Sequence, residues 1–341
     1  MNTRSPSPLP GAPRKRKTPH HVSAAAPAHQ SERSAPGGGS MPQAARLSED
    51  ARAAIRPGQS VALLQELHIL TVDGRLNQDS RRKLKQVYHL YQFIEKLLLE
   101  LPARTGVKVE EGAPLGLTVA DHGAGKSYLG FILYDLFFKA LGTGHIYGIE
   151  TRAELVEKSQ QLAQALGFAR MGFLNLSVAE STASNALPAQ IDLVTALHAC
   201  DTATDDAIAF GLAKRARAFA LVPCCQAEVA RHLGGNRALM LARTPLAELW
   251  RHPLHTRELG SQLTNVLRCL YLEAMGYQVT VTELVGWEHS MKNELILARY
   301  TGHKKRAAAE RLRAVLQEFG LEALLQTRFT LPPDNPGDNQ S

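Results

Sequence analysis

The chain has 341 residues, 44% of them hydrophobic, enough for one large domain with additions or for two modest ones. No apolar run approaches the roughly 18–20 residues that span a bilayer and no apolar leader core opens the chain, so no membrane partner and a cytoplasmic location are expected. The net charge of +7 is concentrated at the front, where Arg4, Arg14, Lys15, Arg16, Lys17 and Arg33 face only Glu32. The rest is close to neutral, so the bulk charge says little about nucleic acid. Cys200, Cys224, Cys225 and Cys269 form no CxxC pair. Reduced thiols are expected, with neither a disulfide framework nor a zinc site.

Residues 1–45, rich in Pro, Ser, Ala and Gly, read as a disordered basic tail, and Met41 offers an alternative start. Residues 46–105 read as a helical region. In "QDSRRKLKQVYHLYQFIEKLLLEL", Leu84, Val87, Tyr91, Ile94 and Leu98 share one helical face, Asp79 or Ser80 is the expected N-cap, and Pro102 stops the run. Arg81, Arg82, Lys83 and Lys85 crowd the first turns, where the helix dipole disfavours cations. An anionic partner or a plain solvated face would each account for them.

Strands and helices alternate over 106–302. "LGLTVA" (115–120), "HIYGIE" (145–150), "MGFLNLSV", "IDLVTALHAC" (191–200) and "RAFALVPCC" (217–225) are the expected strands of five βα units. "YQVTVTELV" and "ELILARY" end the domain as a hairpin. This order predicts an α/β, Rossmann-like, doubly wound sheet behind an N-terminal helical extension. A C-terminal helical piece over 303–330 and a polar tail over 331–341 complete the chain.

The stretch "VADHGAGKSYLGF" (119–131) fits two different loops. In letters it satisfies a permissive Walker A pattern, but Asp121 would put a negative charge inside the phosphate nest. Asp192, the candidate magnesium acid, stands at the start of its strand rather than its end. S-adenosylmethionine (SAM) makes other demands. Its cationic methionine end suits Asp121, glycines at 123 and 125 permit close approach, and Glu150 at the end of the second strand can accept both ribose hydroxyls. A dinucleotide loop would want a glycine where Tyr128 stands. The balance favours SAM.

With "DHGAGKSYL" (121–129), "GIE" (148–150), "DLVTALHACDTATD" (192–205), "PCC" (223–225) and "EHSMKNELI" (288–296), the sequence resembles class I SAM-dependent methyltransferases. It is most similar to a methyltransferase-domain family loosely related to tRNA 2'-O-methyltransferases. The resemblance implies seven strands with the last antiparallel, and SAM at their C-terminal ends. It also implies cofactor contacts from Asp121, His122, Gly123, Gly125, Glu150, Thr151 and Leu197.

The acceptor belongs at the end of the fourth strand. His198 is the candidate general base, and Asp201 either orients the acceptor or caps the helix that follows. Cys224 invites a covalent mechanism, but its place after the fifth strand favours a pocket wall, as a substrate contact. Lys292 and Asn293, before the last strand, are further substrate candidates, and a simple turn is the other reading. His252 and His255 lack the further ligands a metal needs. The expected function is methyl transfer to RNA, tRNA or rRNA. The alternatives are a protein or small-molecule methyltransferase, or a degenerate SAM-binding interaction module.

Overall fold

A computed structural model describes residues 47–101, 116–197, 199, 201–223, 227–234, 245–284 and 294–332. Three helices come first: α1 (Glu49–Ala54), α2 (Val61–Glu66) and α3 (Gln78–Leu99). Each is capped by a side chain. Ser48 accepts from the Ala51 amide at 3.2 Å, Ser60 from Leu63 at 3.2 Å and Asn77 from Ser80 at 2.7 Å. The cap of α3 is therefore Asn77 and not Asp79 or Ser80, because the amide of Ser80 needs an acceptor three residues earlier. On α3 the expected face is buried at Leu84, Tyr91, Ile94 and Leu98, with Val87 partly covered.

The sheet has the order β3-β2-β1-β4-β5-β7-β6. Its strands are β1 (Thr118–His122), β2 (His145–Glu150), β3 (Met171–Asn175), β4 (Leu193–Leu197), β5 (Ala218–Val222), β6 (Tyr277–Glu283) and β7 (Glu294–Tyr300). The first five run parallel, and β7 is antiparallel to both β5 and β6. β1 begins later than 115 and runs to His122, because β2 extends to Glu150 and keeps Asp121 and His122 paired with Gly148 and Ile149. Side chains alternate across the sheet as strand geometry requires. Leu193, Ala218, Ala220 and Val222 enter the core beneath α1–α3, while Val194, Ala196, Phe219 and Leu221 enter the opposite core.

The first core is closed by α4 (Tyr128–Leu133), a π-helical turn (Tyr134–Phe138), α5 (Lys139–Leu141) and α6 (Ala153–Ala165). The π turn places Asp135 where its buried carboxylate accepts from the Ser60 amide at 2.7 Å and pairs with Lys139 at 3.3 Å. The Tyr128 hydroxyl donates to the Leu67 carbonyl. The extension is thus bonded to the helix that leaves the glycine loop. α7 (Val178–Ala183), α8 (Ala203–Ala213), α9 (Glu228–Gly234) and α10 (Pro253–Ala274) follow in chain order, with a 3-10 turn (Pro245–Trp250) before α10. Residues of α8, α9 and α10 fill the second core. The expected single C-terminal helix is two, α11 (Arg306–Glu318) and α12 (Leu324–Thr327), separated at Gly320 with φ +64°. Among the described residues no helix is long and apolar enough to cross a membrane.

At the edge opposite the strands' C-terminal ends, Asp192 has no exposed surface. Its carboxylate accepts from the Thr118 amide at 2.7 Å and hydroxyl at 3.0 Å, and from Arg217 at 2.9 Å. This clamp joins β1, β4 and β5 at their start, far from where phosphate-bound magnesium would sit. Asp192→Ala leaves Arg217 and the Thr118 amide without this acceptor and should cost about 3–5 kcal/mol. Urea unfolding with an unchanged slope measures it. A loss below about 1 kcal/mol would remove the clamp from the account.

Candidate active site

The strand order reverses between β1 and β4, and in open α/β sheets ligands bind in the crevice at that point. Asp121 sits there, 2% exposed. Register places it directly opposite Thr195 on β4, and the Thr195 hydroxyl donates to its Oδ1 at 2.7 Å. Ser127 donates to Oδ2 at 3.4 Å. Burial pushes the Asp121 carboxyl up to about 6, against the lowering effect of the two hydroxyls.

Beyond β1 the chain turns through Gly123, Gly125 and Ser127, with φ of +64°, +57° and +50°. Gly125 tolerates that region freely, whereas Ser127 is held in it at a cost of order 1–3 kcal/mol. Hydrogen bonds from the Ala124 amide to the Ile149 carbonyl (3.1 Å) and from the Ser127 amide to the Ala124 carbonyl (2.6 Å) impose the turn. Gly130 supplies the close approach that a dinucleotide loop assigns to its last glycine. A Cβ there would lie 2.5 Å from Ser127 Oγ and 3.6 Å from Asp121 Oδ2.

Glu150 ends β2 beside this turn. Its Oε2 accepts from the Gly125 amide at 2.8 Å and from Arg152 Nη2 at 3.1 Å. Its Oε1 accepts from Arg152 Nε (3.0 Å), the Arg152 amide (3.1 Å) and the Thr151 hydroxyl (3.3 Å). The Arg152 guanidinium leads the causes that hold the Glu150 carboxyl down at about 2. Asn175, at the end of β3, donates to the Glu150 carbonyl at 3.0 Å and steadies the strand end.

The other expected cofactor residues are placed unevenly. The His122 imidazole is turned into the core, 4.8 Å from the Phe210 ring centroid and 3.4 Å from Ser181 Oγ, and burial lowers its pKa to about 4. Only its backbone borders the turn. Thr151 is exposed, and Leu197 is half-buried at the end of β4. Asp201 does not cap α8, whose N-cap is Thr202. It adopts φ +51° and accepts from the Ala227 and Glu228 amides at 2.8 and 3.0 Å, because the start of α9 packs against it. His252 and His255 meet edge-on at the start of α10. Among the described residues no group of three or more His, Cys, Asp or Glu could hold a metal. His198, Cys224, Lys292 and Asn293 lie outside the described residues.

Four contributors were not anticipated. Thr195 is a lone polar residue inside the apolar run "LVTAL", Asn175 is the one polar residue of "MGFLN", and Gly130 stands two positions past the expected glycine. Each left that trace in the sequence. Arg152 left none, since an exposed Arg at a helix start is unremarkable.

Residues 82–232 match the model of a family described as a methyltransferase domain. No curated protein matches the chain. Similar solved structures include a magnesium protoporphyrin IX methyltransferase from Synechocystis with bound SAH, at 15% identity, covering 74% of this chain and 100% of that one, with TM-score 0.38. An rRNA methylase from Streptococcus thermophilus gives 9% identity, 54% and 86% coverage and 0.33. The likeness concerns the fold alone.

The residues fit SAM as cofactor. The open glycine turn, a buried acid below it and a carboxylate bonded to the turn's own amide form the cradle that a cationic nucleoside requires. Arg152 now occupies the Glu150 oxygens that ribose hydroxyls would take. Arg152→Ala should therefore tighten SAM binding about tenfold, by releasing Glu150 from its exposed partner. Calorimetric titration checks this, and weaker binding in the variant would make Arg152 a cofactor contact instead.

Between pH 5 and 7 only Asp121 of the three perturbed groups titrates, since His122 lies near 4 and Glu150 near 2. Its raised pKa means that its ionised form costs stability as pH rises from the ordinary carboxylate value through 6. A cation offsets that cost, so SAM affinity should rise as pH rises through about 6. Asp121→Asn should bind weakly at every pH in this window, with Lys126→Ala much less affected; a wild-type affinity flat from pH 5 to 7 would refute the assignment. The methyltransferase-domain match over residues 82–232 covers the turn, both acids and the five parallel strands that bring them together, and on these grounds that part of the chain is a SAM-dependent methyltransferase domain.

Proposed function

We propose that the acceptor is RNA, a tRNA or an rRNA, methylated in the cytoplasm. The observation that carries this reading is a surface groove of about 510 Å³ beside the first turns of α3, lined by Arg81, Lys85, Tyr88, His89 and Gln92 over a floor of Ala54 and Leu84. At its margin the Arg56 guanidinium stacks 4.9 Å from the ring centroid of the half-buried Tyr88. Cations interleaved with aromatic rings suit a phosphate backbone with exposed bases. Arg81 pairs with Asp50 and Arg82 with Asp79, but both pairs are exposed. Such pairs contribute little and exchange readily for phosphate.

Bound SAM supplies an activated methyl, and the chain's part is orientation and proton removal. In this reading His198, the residue after Leu197, takes the acceptor's proton. Cys224, Lys292 and Asn293 contact the acceptor from the neighbouring segments. Asp201 acts by holding its own segment against α9.

Tritiated SAM incubated separately with total RNA and total protein from cells lacking this protein should label RNA. Label confined to protein would reject the RNA reading in favour of a protein acceptor. With labelled RNA in hand, Arg81→Glu with Lys85→Glu should raise the KM for RNA about tenfold and reduce the salt slope by roughly two, leaving SAM affinity intact. Unchanged KM would detach the groove from the acceptor.

A further inference from the structure

Arg268 lies in α10 with no exposed surface. Its Nε and Nη2 each donate to one Asp205 oxygen at 2.7 Å, Nη2 also reaches the Asp201 carbonyl at 2.9 Å, and Nη1 donates to Asn265 Oδ1 at 3.2 Å. Asn265 in turn donates to Glu294 Oε2 at 2.8 Å. Glu294 opens β7, which runs antiparallel to β5. It therefore stands at the C-terminal ends of the parallel strands. One helix thus ties together two segments at the ligand end, the one that follows β4 and the one that starts β7.

Stability alone does not account for this arrangement. A buried ion pair can often be replaced by apolar side chains of similar volume at no cost, so its distinctive contribution is a defined geometry. The geometry held here is unusual. Asp201 keeps φ +51°, a left-handed region uncommon outside glycine although Asp tolerates it better than most residues. The Arg268 fork holds its carbonyl while the α9 amides hold its carboxylate.

We infer that Arg268 is a positioning residue for methyl transfer, fixing through Asp205 and the Asp201 carbonyl the segment after β4 against which the acceptor is presented. It touches neither the glycine turn nor Glu150, so cofactor affinity should not depend on it. The inference rests on SAM-dependent transfer and is independent of whether the acceptor is RNA.

The test compares the full-length chain with Arg268→Met/Asp205→Leu, which keeps volume while removing both buried charges, and with Arg268→Lys, which keeps a charge but loses the fork. Three quantities are read: SAM Kd by calorimetry, amide exchange by mass spectrometry, and label transfer from tritiated SAM to total RNA or total protein. In both variants kcat should fall about 100-fold, the scale of an ångström misplacement, with SAM Kd within twofold. Faster exchange should be confined to 201–206. A folded double variant with kcat and exchange within twofold of wild type overturns the inference, as does full rescue by Arg268→Lys. If the double variant fails to fold, Arg268→Lys decides by the same criteria. If the wild type labels neither fraction, that counts against the RNA reading alone, and the site and confinement of faster exchange decide the role of Arg268.

Discussion

The Thr195 hydroxyl donates to a carboxylate that almost no water reaches, and much of the ligand end is arranged around that contact. Asp121 and Thr195 face each other because β1 and β4 pair in one register, which the Asp192 clamp sets at the far end of the same strands. A slip of one residue would send Asp121 to the other face of the sheet. Gly130 lets α4 approach closely enough for Ser127 to supply a second donor. The acid is kept dry, partly satisfied and costly to ionise, which suits a ligand that arrives with positive charge.

Two non-glycine residues near the ends of adjacent strands share a left-handed backbone: Ser127 after β1 and Asp201 after β4. Both are over-determined by hydrogen bonds, Ser127 through the glycine turn and Asp201 through α9 and Arg268. Strain concentrated at a crevice and held by its surroundings is a mark of a site preorganised for chemistry. The helical extension belongs to the same construction. Tyr128, next to Ser127, bonds to the carbonyl of Leu67, so the surface that bears the basic groove is tied to the cofactor turn.

Much of this was legible in one dimension. "HIYGIE" coincides with β2 residue for residue, because its Ile and Tyr residues favour an extended backbone. The buried face of α3 followed from helical spacing, and the left-handed turn after β1 followed from the glycines at 123 and 125. What failed was local choice among near-equivalent neighbours. Asn77, Asp79 and Ser80 are all competent caps, and only the first has the geometry. Asp201 had a helix directly after it, yet α9, distant in sequence, took its carboxylate. The break at Gly320 and the π turn at Tyr134–Phe138 each depend on what the helix packs against.

The sequence by itself determined the alternation of strands and helices, the acids at two strand ends and the glycines between them. These follow from periodicity and from residue order, both of which are local. Tertiary structure alone decided that Thr195 satisfies Asp121 and that Arg268 holds Asp201. Those partners stand 74 and 67 residues apart in the chain. A buried or half-buried polar group takes whichever donor the packed elements bring within reach, and that is settled only once the sheet has closed.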